Sequence, residues 1–163
     1  MIILIMGVTG AGKTTIGQAL AAGTGWEFCD ADWFHSIAAK TKMSRGEALT
    51  DADRQPWLQS LQTAIAQWLQ AEKNVILACS ALKASYRNIL GDHDPRVKLV
   101  YLTGSYELIA QRLRDRHNHF MNANLLQSQF DTLEAPTPQE AVYIDISQDL
   151  AAILQQIRNS VQV

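Results

Sequence analysis

Apolar and polar positions fall along this chain in blocks, and five short apolar runs stand out. They cover residues 2–6, 26–29, 75–79, 97–102 and 142–146. Most are continuous rather than alternating, the pattern of strands covered on both faces of a parallel sheet. Between them the spacing is helical and predicts helices over 14–22, 54–71, 83–90, 106–116, 123–133 and 149–158. In the 54–71 segment Trp57, Leu58, Leu61, Ile65, Trp68 and Leu69 form one stripe. Strand and helix alternating in this way imply one α/β domain over residues 1–163, with right-handed crossovers. Functional groups in such sheets gather beyond the carboxyl ends of the strands. Gly7, Asp30, Ser80 and Thr103 all stand at such ends.

The turn after the first run reads GVTGAGKTT. Gly7, Gly10, Gly12, Lys13 and Thr14 satisfy G-x-x-x-x-G-K-[ST], with a strand before and a helix after. Glycines let the backbone curl until successive N–H groups point at phosphate oxygens, and the helix adds its positive end. The whole turn, Gly7, Val8, Thr9, Gly10, Ala11, Gly12, Lys13, Thr14 and Thr15, is the expected nucleotide cradle. Lys13 would bridge the β- and γ-phosphates and the Thr14 hydroxyl would hold Mg²⁺.

Composition narrows the field. A net charge of −2 argues against a broad nucleic-acid surface, and 47% hydrophobic with 18% charged residues marks a soluble globular chain. No run reaches the length of a membrane span, so the expectation is a cytoplasmic protein with no membrane or nucleic-acid partner. Cys29 and Cys79 end apolar runs and read as buried free thiols.

Two carboxylates follow the second run, in FCDAD. Alternation at a strand end would send Asp30 and Asp32 into the cleft together. One can orient Mg²⁺ while the other takes a proton from an attacking hydroxyl. Asp32 is the expected base and, with Thr14, the expected metal residue; Asp30 supports it. No Asn-Lys-x-Asp segment of a GTPase is present, and the strand VILACSAL ends in Ser80 where a transport ATPase carries an acid. Transfer to a small hydroxyl also requires water to be kept out, commonly by a lid bearing arginines. AQRLRDRHNHF supplies Arg112 and Arg116, four apart on one helix face, as catalytic candidates in a lid over 112–124. These features describe a small-molecule kinase using ATP and Mg²⁺.

On DADWFH with KMSRGEALTDADRQPWL, on CSALKASYRNIL, on RLRDRHNHFM and on LLQSQFDTLEAP, the chain resembles the gluconate kinases of the small P-loop type. These are relatives of shikimate and nucleoside-monophosphate kinases. The resemblance implies a P-loop NTPase-type fold of three layers, a five-stranded parallel sheet between helices, with a small lid. It implies transfer of the ATP γ-phosphate to the terminal hydroxyl of D-gluconate, and it suggests a homodimer. On the sugar-acid side it implicates Asp30, Asp32, His35, Lys42, Arg54, Lys83 and Arg87, in a wrapping segment about 32–58 and beyond. Arg112, Arg116 and His119 are the lid residues it implies. Gluconate is an anionic polyol, and a guanidinium grips a carboxylate bidentately, which singles out Arg54 and Arg87.

Elsewhere in these blocks packing and capping are expected. Asp53 is read as a helix cap, Pro56 as a first-turn residue and Trp57 as core. Ser80 is read as a cap for the helix near Lys83, and SQF…LE as helix packing. The chain departs from the family pattern at Ala31, Ser36, Ala39 and Ala48, all in the segment expected to wrap the acid. Two other readings stand beside gluconate kinase: a shikimate-like kinase for another hydroxy acid, and a nucleotide-binding regulatory module without transfer activity.

Overall fold

The computed structural model describes residues 1–116 and 123–163. Strands β1 Ile2–Met6, β2 Glu27–Asp30, β3 Val75–Ala78, β4 Val97–Thr103 and β5 Ala141–Asp145 lie within one residue of the predicted runs. They pair in parallel in the order β2-β3-β1-β4-β5, so the first strand is the central one. The chain steps outward from β1 to β2, returns through β3, then crosses β1 to reach β4. Connections after β1 and β3 therefore open a crevice at the carboxyl end of the sheet, the place where such folds bind ligands.

Every residue of β1 is buried, because both faces are covered. Ile2, Leu4 and Met6 pack with Trp57, Leu58, Leu61 and Ile65 of α3, Asp51–Gln70, and with Tyr86 of α4, Ala84–Ile89. Ile3 and Ile5 face the other way, toward α1, Lys13–Thr24, α5, Tyr106–Asp115, and α7, Leu150–Val161. Helix α6, Ala123–Thr132, adds Leu126 to that second layer. The two-residue period of the strand thus builds a three-layer α/β fold, as the resemblance implied. The edge strands β2 and β5 alternate in burial instead. Cys29 and Cys79 are both buried free thiols. No described helix is long and apolar enough to cross a membrane.

Helix α2, Ile37–Ser44, has no counterpart in the predicted pattern. Its sequence IAAKTKMS carries no apolar stripe: Ile37 is 86% exposed and Ala39 is its one buried residue. A local cap, the Ser36 hydroxyl accepting from Ala39 N–H at 3.1 Å, starts it instead. The start of α3 also differs from expectation. Thr50 is the N-cap, and Asp53 is the third helical residue, closing a capping box with Thr50. Pro56 consequently falls in the second turn, where it removes a backbone donor from the helix ladder. Ser80 caps nothing: the position before α4 is Lys83, which makes no side-chain cap.

Thr50→Ala should cost about 1 kcal/mol, the usual loss for a hydroxyl N-cap, and lower the urea midpoint accordingly. An unchanged midpoint would mean that the Thr50–Asp53 box does not hold the start of α3.

Candidate active site

The loop between β1 and α1 keeps its curl through glycines at two left-handed positions, Gly10 (φ 79) and Gly12 (φ 98). Gly10 is also pressed against α5: a Cβ there would meet Leu113 at 2.8 Å. Ala11 N–H donates to the Val8 carbonyl at 3.2 Å, and both side chains are buried beneath the loop. Lys13 Nζ donates to the carbonyls of Gly7 (2.9 Å) and Val8 (3.0 Å), which straps the ammonium across the loop. Burial lowers the Lys13 pKa, while the charges of Asp32 and Asp30 act in the opposite direction. Thr15 lies on the exposed side of α1, outside the cleft lining.

Above this loop opens a cleft of about 370 Å³ lined by Thr9, Gly10, Gly12, Lys13 and Thr14 on one side. Asp30, Asp32, His35, Arg54 and Arg116 line it as well. Asp30 is the last residue of β2, and a single 3-10 turn, Ala31–Phe34, follows. That turn, rather than strand alternation, brings Asp32 to the cleft. Asp30 links the parts: Oδ2 accepts from the Thr14 hydroxyl at 3.1 Å, and Oδ1 accepts from Asp32 N–H at 2.9 Å. Of the two aspartates, it is Asp30 and not the expected metal residue Asp32 that the Thr14 hydroxyl meets.

Asp32 has an 80% accessible side chain, so an acceptor can reach it. The cleft wall nevertheless withholds solvent and raises its carboxyl pKa, with the charge of Asp30 as the second cause. His35, Lys13 and Lys40 act in the opposite direction. His35 is buried and stacks on Trp57, ring centroids 4.5 Å and planes 9° apart, with Nε2 3.9 Å from Asp32 Oδ1. Burial lowers its pKa and favours the neutral ring.

Trp57 does more than pack. Its indole N–H donates to the Ala31 carbonyl at 2.7 Å, between the two aspartates, and its ring carries His35. Tyr86 also lines the cleft; its hydroxyl donates to Asp51 and accepts from Arg54 Nη1 at 3.3 Å. The Arg54 guanidinium, which lines the same cleft as Lys13, is thereby tethered. Trp57 was expected only as core and Tyr86 was not singled out, because an apolar stripe cannot show which ring edge meets a polar group.

Four other predicted site residues are engaged elsewhere. Lys42 pairs with Asp53 at 2.7 Å, at the cap of α3. Lys83 pairs with Asp51 at 2.9 Å. Arg87 is buried, and its Nη1 donates to the carbonyls of Ala81, Leu82 and Glu134. Arg112 donates to the Ile146 carbonyl, so it braces the end of β5. None of the four lines the cleft. His119 lies outside the described residues. The SQF…LE block is not packing alone, since Ser128, Gln129 and Thr132 line the cleft. Glu134 receives Ala84 N–H at 2.7 Å, supplying α4 with the cap that Ser80 does not.

A family profile described as shikimate kinase matches residues 9–162. A probable gluconokinase of Xenopus tropicalis is 41% identical over 99% of this chain and 93% of its own. The unliganded structure of a sugar kinase from Janibacter sp. HTCC2649 superposes with a TM-score of 0.91 at 41% identity, covering 99% of this chain and 94% of that one. A gluconokinase structure from Sinorhizobium meliloti 1021 gives 0.86 at 40% identity, covering 98% and 90%.

With Asp32 as the expected base, activity would be lost as pH falls through its raised pKa, and the acid limb of turnover should lie above the ordinary aspartate range. Asp30→Asn should move that limb to lower pH, whatever it does to the rate. A limb that stays where it was would contradict the coupling of the two carboxylates.

Proposed function

The chain belongs to the gluconokinase family and is an ATP-dependent kinase, and we propose that it transfers the γ-phosphoryl group to the terminal hydroxyl of D-gluconate, giving 6-phosphogluconate. The observation that carries this reading is one cleft lined together by the phosphate loop, the tethered Arg54 guanidinium and the accessible Asp32 carboxylate.

Lys13 and the backbone N–H groups of the loop hold the phosphates. Arg54 takes the gluconate carboxylate: Tyr86 occupies Nη1, leaving the rest of the fork for a bidentate grip. The polyol then runs toward Asp32. Asp32 accepts the proton of the terminal hydroxyl as that oxygen bonds to the γ-phosphorus and the bond to the bridging oxygen of ADP breaks. His35, neutral and stacked on Trp57, stands 3.9 Å from Asp32 Oδ1 and leaves its charge in place. Arg116, at the end of α5, reaches the cleft from the lid side and offsets charge on the transferring group.

The donor set suits Mg²⁺. Thr14 and Asp30 offer a hydroxyl and a carboxylate side by side, and among the described residues no cluster of three His, Cys, Asp or Glu forms a protein-only cage. That sparse oxygen set matches an ion that keeps waters and phosphate oxygens in its shell. Bound there, Mg²⁺ supplies neutralising charge to the phosphate oxygens.

A coupled assay of ADP formation should respond to gluconate and not to shikimate or water alone. Asp32→Asn should leave nucleotide binding nearly unchanged and cut turnover by about a hundredfold, the scale of general-base catalysis. Near-normal turnover in that variant would remove Asp32 as the base.

A further inference from the structure

One donor of the phosphate loop is already taken. The backbone N–H of Thr9 donates to Oε1 of Gln129 at 2.7 Å, across 120 residues of sequence. Gln129 lies on α6 and lines the same cleft as Asp32 and Arg54. The helix is anchored around it. Leu126 is buried in the second core layer, and Phe130 packs on Tyr106 of α5 with ring centroids 5.5 Å apart. Just past the helix, Glu134 N–H donates to the Leu82 carbonyl at 2.8 Å, while its carboxylate receives Ala84 N–H. Helix α6 thus runs from the phosphate loop to the β3–α4 wall, held at both ends.

A primary amide carries an acceptor and two donors. The Gln129 acceptor is committed to Thr9, and its Nε2 has no hydrogen-bond partner among the described residues. Because the side chain is uncharged, it can touch both the loop and a hydroxyl without disturbing the balance among Lys13, Asp30 and Asp32. We propose that Gln129 is a positioning and specificity-determining residue. Its Oε1 fixes the lip of the phosphate loop through Thr9, and its amide donates to a hydroxyl oxygen of the polyol, so one side chain sets acceptor and loop in register. The identity of the polyol rests on the gluconate reading given above.

Gln129→Met removes donor and acceptor at similar length; Gln129→Glu keeps an acceptor for Thr9 but removes the amide donors. Two readouts separate the ends of the side chain: KM and kcat for gluconate, and amide hydrogen exchange at Thr9 in the protein without ligands. The gluconate KM should rise about tenfold in Gln129→Met, the scale of one lost hydrogen bond with its partner left unpaired, and at least as far in Gln129→Glu, where a carboxylate also repels the anionic acceptor, while kcat falls less than KM rises in Gln129→Met. Thr9 exchange should quicken by about tenfold in Gln129→Met and stay near wild type in Gln129→Glu. Thermal midpoints verify folding, and Gln129→Ala takes the place of Gln129→Met if that variant does not fold. An unchanged gluconate KM in both variants, or Thr9 exchange unaffected by Gln129→Met, overturns the inference alone. A wild-type protein whose ADP formation ignores gluconate overturns the acceptor assignment and this inference together.

Discussion

A single hydrogen bond, from the Thr14 hydroxyl to the Asp30 carboxylate, ties the loop that follows β1 to the turn that follows β2. The sheet makes that bond available. In the parallel register Ile5 lies opposite Ala78, and Ala78 opposite Asp30, so the central and edge strands end at one level with β3 between them. The phosphate loop and the acidic pair therefore rise side by side from the same rim. A slip of one residue in β2 would turn Asp30 to the other face and detach the pair from the loop.

Charge in the cleft is balanced by neighbours rather than by solvent. Burial lowers the pKa of Lys13, and the carboxylates of Asp32 and Asp30 oppose that shift. Burial, with the charge of Asp30 as the second cause, raises the proton affinity of Asp32, which suits the proposed base. Cys79 stands in the same cleft, and burial pushes its thiol up to about 12, so it stays uncharged beside Lys13. Arg54, Lys83, Tyr86 and Asp51 form one network, in which a cation is held in place without being fully neutralised.

How much of this could be read in advance depended on the range of the interaction. The five strands and the phosphate loop were legible because each is specified by neighbouring residues: continuous apolar runs, and glycines where φ must be positive. Helix α2 was not, since a cap at Ser36 starts it and no apolar stripe marks it. Cations were the least legible. Lys42, Lys83 and Arg87 resemble Arg54 in sequence, but their partners lie as far off as Glu134, and the ion pairs or carbonyls they meet cannot be seen in local spacing. Trp57 and Gln129 were read as packing for the same reason: each has an apolar context and one polar atom whose partner is remote.

If Thr14 and Asp30 serve one magnesium ion, their contributions are inseparable. A double-mutant cycle with Thr14→Val and Asp30→Asn, read as the Mg²⁺ dependence of nucleotide affinity, examines this directly. The double variant should lose little more than the worse single one, giving a coupling of about 1 kcal/mol or more. Losses that simply add would show that the two side chains act independently, and the junction between loop and acidic pair would not be the seat of catalysis.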